Sequence, residues 1–135
     1  MIDLMIKSEF KINACLQGSL KIMKIFKDLH DGICLMSISG RIDSNYSDDL
    51  ESSLSKTINE YSRIIMDLKD TEYISSSGVR VLLAGKKMLG EKNGEMILVS
   101  LQPVVRDVFE IAGLARLFLI KKNREDALSL MKCRP

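Results

Sequence analysis

Short runs of apolar and β-branched residues alternate along this chain with longer runs in which apolar residues recur every three or four positions. Runs of the first kind are typical of strands, and runs of the second kind are typical of amphipathic helices. The strand-like runs are residues 22–29, 33–39, 63–68, 95–101 and 117–120, and the helix-like runs are residues 47–60, 77–92, 103–113 and a last one after residue 123. This order predicts an α/β domain with a mixed, mainly parallel sheet of four to five strands, an N-terminal hairpin and about four helices.

Residues with special backbone preferences mark the ends of these runs. Asp31-Gly32 separates the first two strand-like runs and is a strong hairpin signal, because both residues tolerate the positive φ that such turns need. Ser47 and Asn123 are predicted N-caps, and Pro103 suits the first position of a helix, where its missing N–H is not needed. Gly94 is predicted to end the second helix in the left-handed conformation.

The predicted domain begins after the first 22 residues. Residues 1–22 show no clear periodicity and are predicted to be an extension: an extra strand, a short helix or a loosely held arm. No linker, repeat or low-complexity tract divides residues 23–135, so these are predicted to form one domain.

Charge and composition exclude several classes of partner. The net charge is +2, with 20 basic and 18 acidic residues spread along the chain, so no basic stripe indicates nucleic acid or an anionic membrane. No run reaches the about 18 apolar residues of a membrane span, and charges interrupt the N-terminal residues where a signal peptide would need an apolar core. We therefore expect a cytoplasmic protein that binds neither nucleic acid nor membrane.

The metal-binding residue types are few and scattered. Cys15, Cys34 and Cys133 lack any C-x-x-C spacing, which favours reduced cytosolic thiols over a zinc site or a disulfide framework. Cys34 lies within a strand-like run and is predicted to be a buried, hydrophobic side chain. His30 is the one histidine and lies at the predicted hairpin turn. We therefore expect neither a metal site nor a cofactor.

A run of three serines lies where a strand is predicted to pass into a helix. Ser75, Ser76 and Ser77 precede Gly78 and the helix-like run, and serines at such positions often cap the first helical turn. In an open α/β sheet, functional groups gather at the carboxyl ends of the strands. The other polar loop at that edge is residues 40–44, which contains Asp43. We expect Asp43 and Ser76 to lie close together, on neighbouring strands.

No motif for catalysis accompanies these serines. The run lacks the first glycine of the G-x-S-x-G elbow, and neither a G-x-x-x-x-G-K-[ST] phosphate loop nor a G-x-G-x-x-G motif occurs. His30 is predicted to lie elsewhere on the sheet, so the serine hydroxyls have no evident base. We therefore predict no catalytic residues and no enzymatic activity.

Several spaced motifs in residues 23 to about 131 resemble a STAS domain, the family of bacterial anti-sigma factor antagonists and of the cytoplasmic tails of sulfate transporters. In order, they are residues 39–43 (Ser-Gly-Arg-Ile-Asp), 64–67, 73–83 (Tyr-Ile-Ser-Ser-Ser-Gly-Val-Arg-Val-Leu-Leu), 93–96 and 103–114. The serine and glycine element alone would be weak evidence, whereas all five at these spacings form a specific signature. The resemblance implies a single STAS-like domain.

The resemblance also implies a regulatory site. In the family this loop reads Asp-Ser-[Ser/Thr/Ala]-Gly, and a partner kinase phosphorylates the serine after the aspartate. Aligned on Gly78, that acceptor is Ser76, with Ser75 or Ser77 or no phosphorylation as alternatives. Ser75 stands where the family has Asp, which removes an acidic neighbour and offers a second hydroxyl. Asp43 matches a family aspartate beside the acceptor, where it either orients the hydroxyl, contacts the partner or serves only the turn.

The family's partners complete the expectation. By resemblance, the unmodified chain binds an anti-sigma factor, a serine kinase of the histidine-kinase-like ATPase family, and so releases a sigma factor. Phosphorylation switches it off, a serine phosphatase is a further possible partner, and ATP and magnesium belong to the kinase. The predicted partner-binding residues are Asp43, Ser44, Ser75, Ser77, Gly78 and Arg80. The alternative is a STAS scaffold without phosphorylation, or a transporter-associated subunit.

Overall fold

A computed structural model describes residues 8–11, for which only the backbone is considered, and residues 23–132. The strands are β1 (Ser8–Lys11), β2 (Lys24–His30), β3 (Ile33–Ile42), β4 (Arg63–Asp67), β5 (Thr71–Ile74), β6 (Glu95–Val99) and β7 (Leu119–Lys121). The α-helices are α1 (Ser47–Glu60), α2 (Ser76–Glu91), α3 (Pro103–Ile111) and α4 (Arg124–Lys132), and a 3₁₀ turn spans Ala115–Leu117. The predicted α/β class is confirmed.

The sheet has the order β1-β2-β3-β4-β6-β7, with β5 paired to β3 beyond the point where β4 ends. β2 pairs antiparallel with both β1 and β3, and the other pairings among the described strands are parallel. The described strands number seven, two more than the largest number predicted. The additional strands are β1, within the N-terminal extension, and β5, which has four residues and follows β4 closely.

Helices cover both faces of the sheet. α1, α2 and α3 pack on one face, where their buried side chains join Met36, Met66 and Leu98 in the larger core cluster. α4 packs on the opposite face, where Ala127 and Met131 contact the second cluster of sheet residues. β4 and β6 are buried on both faces, which explains why their sequences are continuous apolar runs.

Most of the predicted turn and cap residues have the predicted role. Asp31 and Gly32 have φ values of 56° and 81° in the hairpin turn, and Asn123 Oδ1 accepts from Asp126 N at 2.9 Å to cap α4. Pro103 is the first residue of α3. Buried Cys34 also agrees with its prediction, whereas Cys15 and Cys133 lie outside the described residues.

Two predicted caps are wrong. Ser47 is the first helical residue of α1 rather than its N-cap, because its Oγ donates to Ser44 O at 3.2 Å and Tyr46 occupies the cap position. The left-handed residue after α2 is Asn93, with φ of 60°, and not Gly94. Gly94 is needed for a different reason, since a Cβ there would lie 2.2 Å from Ser62 O.

Candidate functional site

β5 brings the two predicted loops together at the carboxyl edge of the sheet. It pairs in parallel with the end of β3, with Arg41 opposite Tyr73 and Ile42 opposite Ile74. The next residue, Ser75, continues this pairing, because its N–H donates to Ile42 O at 2.8 Å. The loop that contains Asp43 and the loop that contains the serines are therefore adjacent, as the sequence predicted, although the strand that makes them adjacent is β5 rather than β4.

A glycine allows β3 to serve two parallel partners in succession. β3 pairs with β4 through Cys34–Ser37, and then with β5 from Gly40 onward, where the register shifts. Gly40 has a φ of 100°, a conformation that residues with a side chain rarely adopt. Its N–H donates to Asp70 O at 3.0 Å. The irregularity at Gly40 thus directs the end of β3 toward the serine loop.

Asp43 orders the turn that leads into α1. Its Oδ1 accepts from Asn45 N at 3.0 Å, and its backbone oxygen accepts from Tyr46 N at 3.0 Å. Asp43 is half-buried and Ser44 is exposed. Among the hydrogen bonds of the described residues, none joins Asp43 to Ser76, so the turn is the role of Asp43 that the geometry shows directly.

The three serines have different environments. Ser75 is the N-cap of α2, because its Oγ accepts from Gly78 N at 3.2 Å, and its Oγ also lies 2.9 Å from Ser77 Oγ. Ser76 is the first residue of α2 and is exposed, whereas Ser75 and Ser77 are half-buried. Within residues 23–132, Ser76 is therefore the serine of this run whose hydroxyl is left to solvent.

Gly78 lets the start of α2 lie directly on the two strands. It is buried, and a Cβ at this position would lie 2.8 Å from both Ile42 Cγ2 and Ile74 Cγ1. Such distances are well below van der Waals contact, so only glycine fits without a shift of the surrounding residues. Gly78 thus sets the height of the serine loop above the sheet edge.

Two arginines of this edge have different surroundings. The Arg41 guanidinium lies over the ring of Tyr73, 4.5 Å from its centroid, in a cation–π contact across β3 and β5. This contact was not predicted from the sequence, because residues 71–74 lie outside the predicted strands. Arg80, one turn into α2, is exposed.

Metal-binding clusters and the single histidine were also considered as possible neighbours of the serines. No group of three His, Cys, Asp or Glu side chains in the described part of the chain could hold a metal ion. His30, predicted at the hairpin turn, is the last residue of β2 and pairs with Ile33. Ile33 and Ile42 are the two ends of β3, and the nine steps between them span roughly 30 Å. His30 therefore cannot serve as a base for the serines. None of the described helices is long and apolar enough to cross a membrane.

Comparison with known proteins gives consistent results. A family model described as "STAS domain" matches residues 24–127. A Bordetella bronchiseptica protein named as a candidate anti-sigma factor antagonist, BtrV, is 36% identical over 111 residues, which cover 82% of this chain and 96% of that protein. The anti-sigma F factor antagonist of Paenibacillus polymyxa is 28% identical over 109 residues, covering 79% of this chain and 93% of that protein.

Solved structures share the fold. The crystal structure of an anti-sigma factor antagonist from Mycobacterium paratuberculosis has a TM-score of 0.73 at 24% identity, with 93% of this chain and 95% of that chain covered. The Bacillus protein SpoIIAA in its phosphorylated form has a TM-score of 0.62 at 21% identity, with 79% and 98% covered. At these identities the likeness concerns the arrangement of strands and helices.

Proposed function

The chain belongs to the STAS domain family, and on this basis we propose that it is an anti-sigma factor antagonist that phosphorylation of Ser76 switches off. In its unmodified form it binds an anti-sigma factor, and the sigma factor held by that protein is released. The anti-sigma factor is also the serine kinase, of the histidine-kinase-like ATPase family. A serine phosphatase would restore the unmodified form.

The observation that carries this proposal is the difference among the three serines. The hydroxyls of Ser75 and Ser77 lie 2.9 Å apart, and Ser75 also caps α2, whereas Ser76 is exposed at the first helical position. A kinase needs a hydroxyl that can enter its active site without first breaking contacts of the fold. Names of relatives support the same class of function, because two proteins covered over more than nine-tenths of their length are named as anti-sigma factor antagonists.

In the proposed reaction the chain is the substrate and the kinase supplies the catalytic groups. A bond forms between Ser76 Oγ and the γ-phosphorus of ATP, and the bond from that phosphorus to the bridging oxygen breaks. ADP leaves, and the hydroxyl proton passes to a base of the kinase. ATP and magnesium are thus bound by the kinase, and we propose no catalytic residue in this chain.

Phosphorylation at this position should leave the domain folded. A phosphoserine adds about −1.5 to −2 charges, and the N-terminal end of a helix is favourable for negative charge. The first turn of α2 contains no acidic residue that would oppose the phosphate. We therefore propose that the phosphate acts on the partner, by repulsion and by blocking contact, rather than by unfolding the chain.

The surface proposed for the partner surrounds Ser76. Ser44 and Arg80 are exposed and available for contact, and Asp43, which precedes Ser44 in the chain, is half-buried. Ser75 and Ser77 are half-buried, and Gly78 is buried, so Gly78 contributes by positioning the loop rather than by touching the partner. Ser75, which replaces the family's aspartate, keeps the capping role because serine and aspartate are both good N-caps.

The test is phosphate mapping by mass spectrometry after incubation with ATP and each candidate kinase of the chain's own organism. We expect phosphate on Ser76, lost in Ser76→Ala and retained in Ser75→Ala. The second variant is the matched control, because it removes a neighbouring hydroxyl and leaves the proposed acceptor. Phosphate on Ser75 or Ser77 alone would contradict the assignment. Absence of phosphate with a kinase that binds the chain would favour the alternative of an unphosphorylated scaffold or transporter-associated subunit.

A further inference from the structure

Arg80 lies four residues after Ser76 on the same helix. Residues at this spacing are neighbours on one face of an α-helix, and side chains lean toward the helix N-terminus. The Arg80 side chain therefore leans toward Ser76, and both residues are exposed. Within residues 23–132, the Arg80 side chain takes part in no ion pair or hydrogen bond, so its guanidinium is available to a new anion.

The other charged groups of this edge are less suited to meet a phosphate on Ser76. Arg41 is stacked on Tyr73, across β3 and β5. Asp43, at the end of β3, accepts a hydrogen bond from the backbone of its own turn, and its negative charge would repel a phosphate. Glu72 on β5 is exposed and also acidic. Arg80 thus combines the favourable sign of charge with the favourable spacing.

We propose that Arg80 is the intramolecular counter-ion of the phosphate on Ser76. This inference rests on the proposed phosphorylation of that serine. The planar guanidinium presents paired N–H donors that match two oxygens of a phosphate, so one arginine binds a phosphoserine through a charge-assisted, bidentate contact. Arg80 is a positioning residue in this role, because it holds the phosphate and takes no part in its transfer.

The contact would couple modification to partner binding. In the unmodified chain the free guanidinium can bind an acidic group of the partner. In the phosphorylated chain the guanidinium is paired with the phosphate instead. Phosphorylation then removes a hydroxyl and a cation from the surface in one step. The surface loses its partner contact even though α2 keeps its position.

The experiment uses the 135-residue chain with phosphoserine at position 76, inserted by genetic code expansion so that no kinase is needed. The ³¹P chemical shift is followed against pH to obtain the second pKa of the phosphate in the parent and in three variants. Arg80→Gln removes the charge, and Arg80→Lys keeps the charge but lacks the paired N–H donors of the guanidinium. Lys87→Gln removes an exposed cation of the same helix about 16 Å further along its axis, beyond the Debye length of about 10 Å at 0.1 M salt.

We expect Arg80→Gln to raise the second pKa of the phosphate by about 0.3 unit, the size of an exposed i,i+4 charge pair. Arg80→Lys should restore most of that difference, and Lys87→Gln should leave the parent value unchanged. The proposal would be overturned if the phosphate had the same second pKa in the parent and in Arg80→Gln, or if Lys87→Gln raised this pKa as much as Arg80→Gln does. Because the phosphoserine is inserted during synthesis, this outcome is independent of whether a kinase modifies Ser76, which the phosphate mapping decides.

Discussion

Replacement of Gly78 by alanine should destabilise the domain through two specific contacts. The new Cβ would lie 2.8 Å from Ile42 Cγ2 and 2.8 Å from Ile74 Cγ1. Both atoms are bonded directly to the Cβ of a fully buried isoleucine, so neither can rotate away as the end of a long side chain would. The start of α2 would have to lift from β3 and β5, and Ser76 would move with it.

The magnitude follows from two opposing effects. Overpacking of a buried site costs about 1–3 kcal/mol, and two simultaneous overlaps place Gly78→Ala in the upper half of that range. Alanine is favoured over glycine within a helix by up to about 1 kcal/mol. We therefore expect the free energy of unfolding to fall by about 1–2 kcal/mol, which lowers Tm by roughly 4–8 °C in a chain of this size.

The same substitution at Gly90 is the matched control. Gly90 is also in α2, is exposed, and a Cβ there would meet nothing within 4 Å. Gly90→Ala should therefore stabilise the protein by about 0.5–1 kcal/mol through helix propensity alone. The difference between the two variants isolates the cost of the overlap at Gly78.

Urea denaturation followed by far-ultraviolet circular dichroism measures both free energies of unfolding. If Gly78→Ala proved as stable as Gly90→Ala, the close approach of α2 to Ile42 and Ile74 would be refuted. If both variants were destabilised equally, the cause would lie in the helix backbone rather than in the overlap.

Three further predictions concern stability. Ser75→Ala should lower the free energy of unfolding by about 1 kcal/mol in urea titrations, because the cap of α2 is lost. Ser75→Asp should keep most of the parent's stability, and equal losses in the two variants would contradict the capping role. Arg124→Ala should lower the free energy of unfolding by about 2 kcal/mol in the same assay, because it leaves the buried carboxylate of Asp67 without the guanidinium 2.6 Å away. Lys132→Ala, which removes an exposed ion pair, should lower it by less than about 1 kcal/mol, and similar losses in the two variants would argue against a special role for the buried carboxylate. Burial raises the pKa of the Cys34 thiol from 9.0 to about 11, so the unfolded chain loses this proton at lower pH than the folded chain, and the free energy of unfolding should fall as pH rises between these values. The decline should be smaller in Cys34→Ala, and an unchanged decline would refute the assignment to this thiol.

Local patterns in the sequence were sufficient to predict the class of fold. The alternation of strand-like and helix-like runs predicted the α/β class, and Asp31-Gly32 predicted the hairpin that the φ values confirm. Both signals are contained within a few neighbouring residues, because helix periodicity and positive φ depend on local geometry. The position of the serine run at the junction of a strand and a helix was predictable for the same reason.

Pairings between distant segments could not be predicted in the same way. β5 has four residues, which are too few for a periodic pattern. It is a strand only because Gly40 and Ile42 lie alongside it, 31 and 32 positions before their partners in the chain. The Arg41–Tyr73 contact depends on that pairing and was missed with it. The N-cap of α1 is Tyr46 rather than Ser47, because Ser47 Oγ donates to Ser44 O instead of capping.

The chain by itself thus determined that a serine run follows a strand and begins a helix. Only the tertiary structure decided that the three hydroxyls differ, with Ser75 and Ser77 turned toward each other and Ser76 toward solvent. The physical reason is that α2 rests closely on β3 and β5 at Gly78, and the N–H of that same glycine donates to the cap oxygen of Ser75. The sequence placed three candidate acceptors at this edge, and the packing of α2 on the sheet distinguished among them.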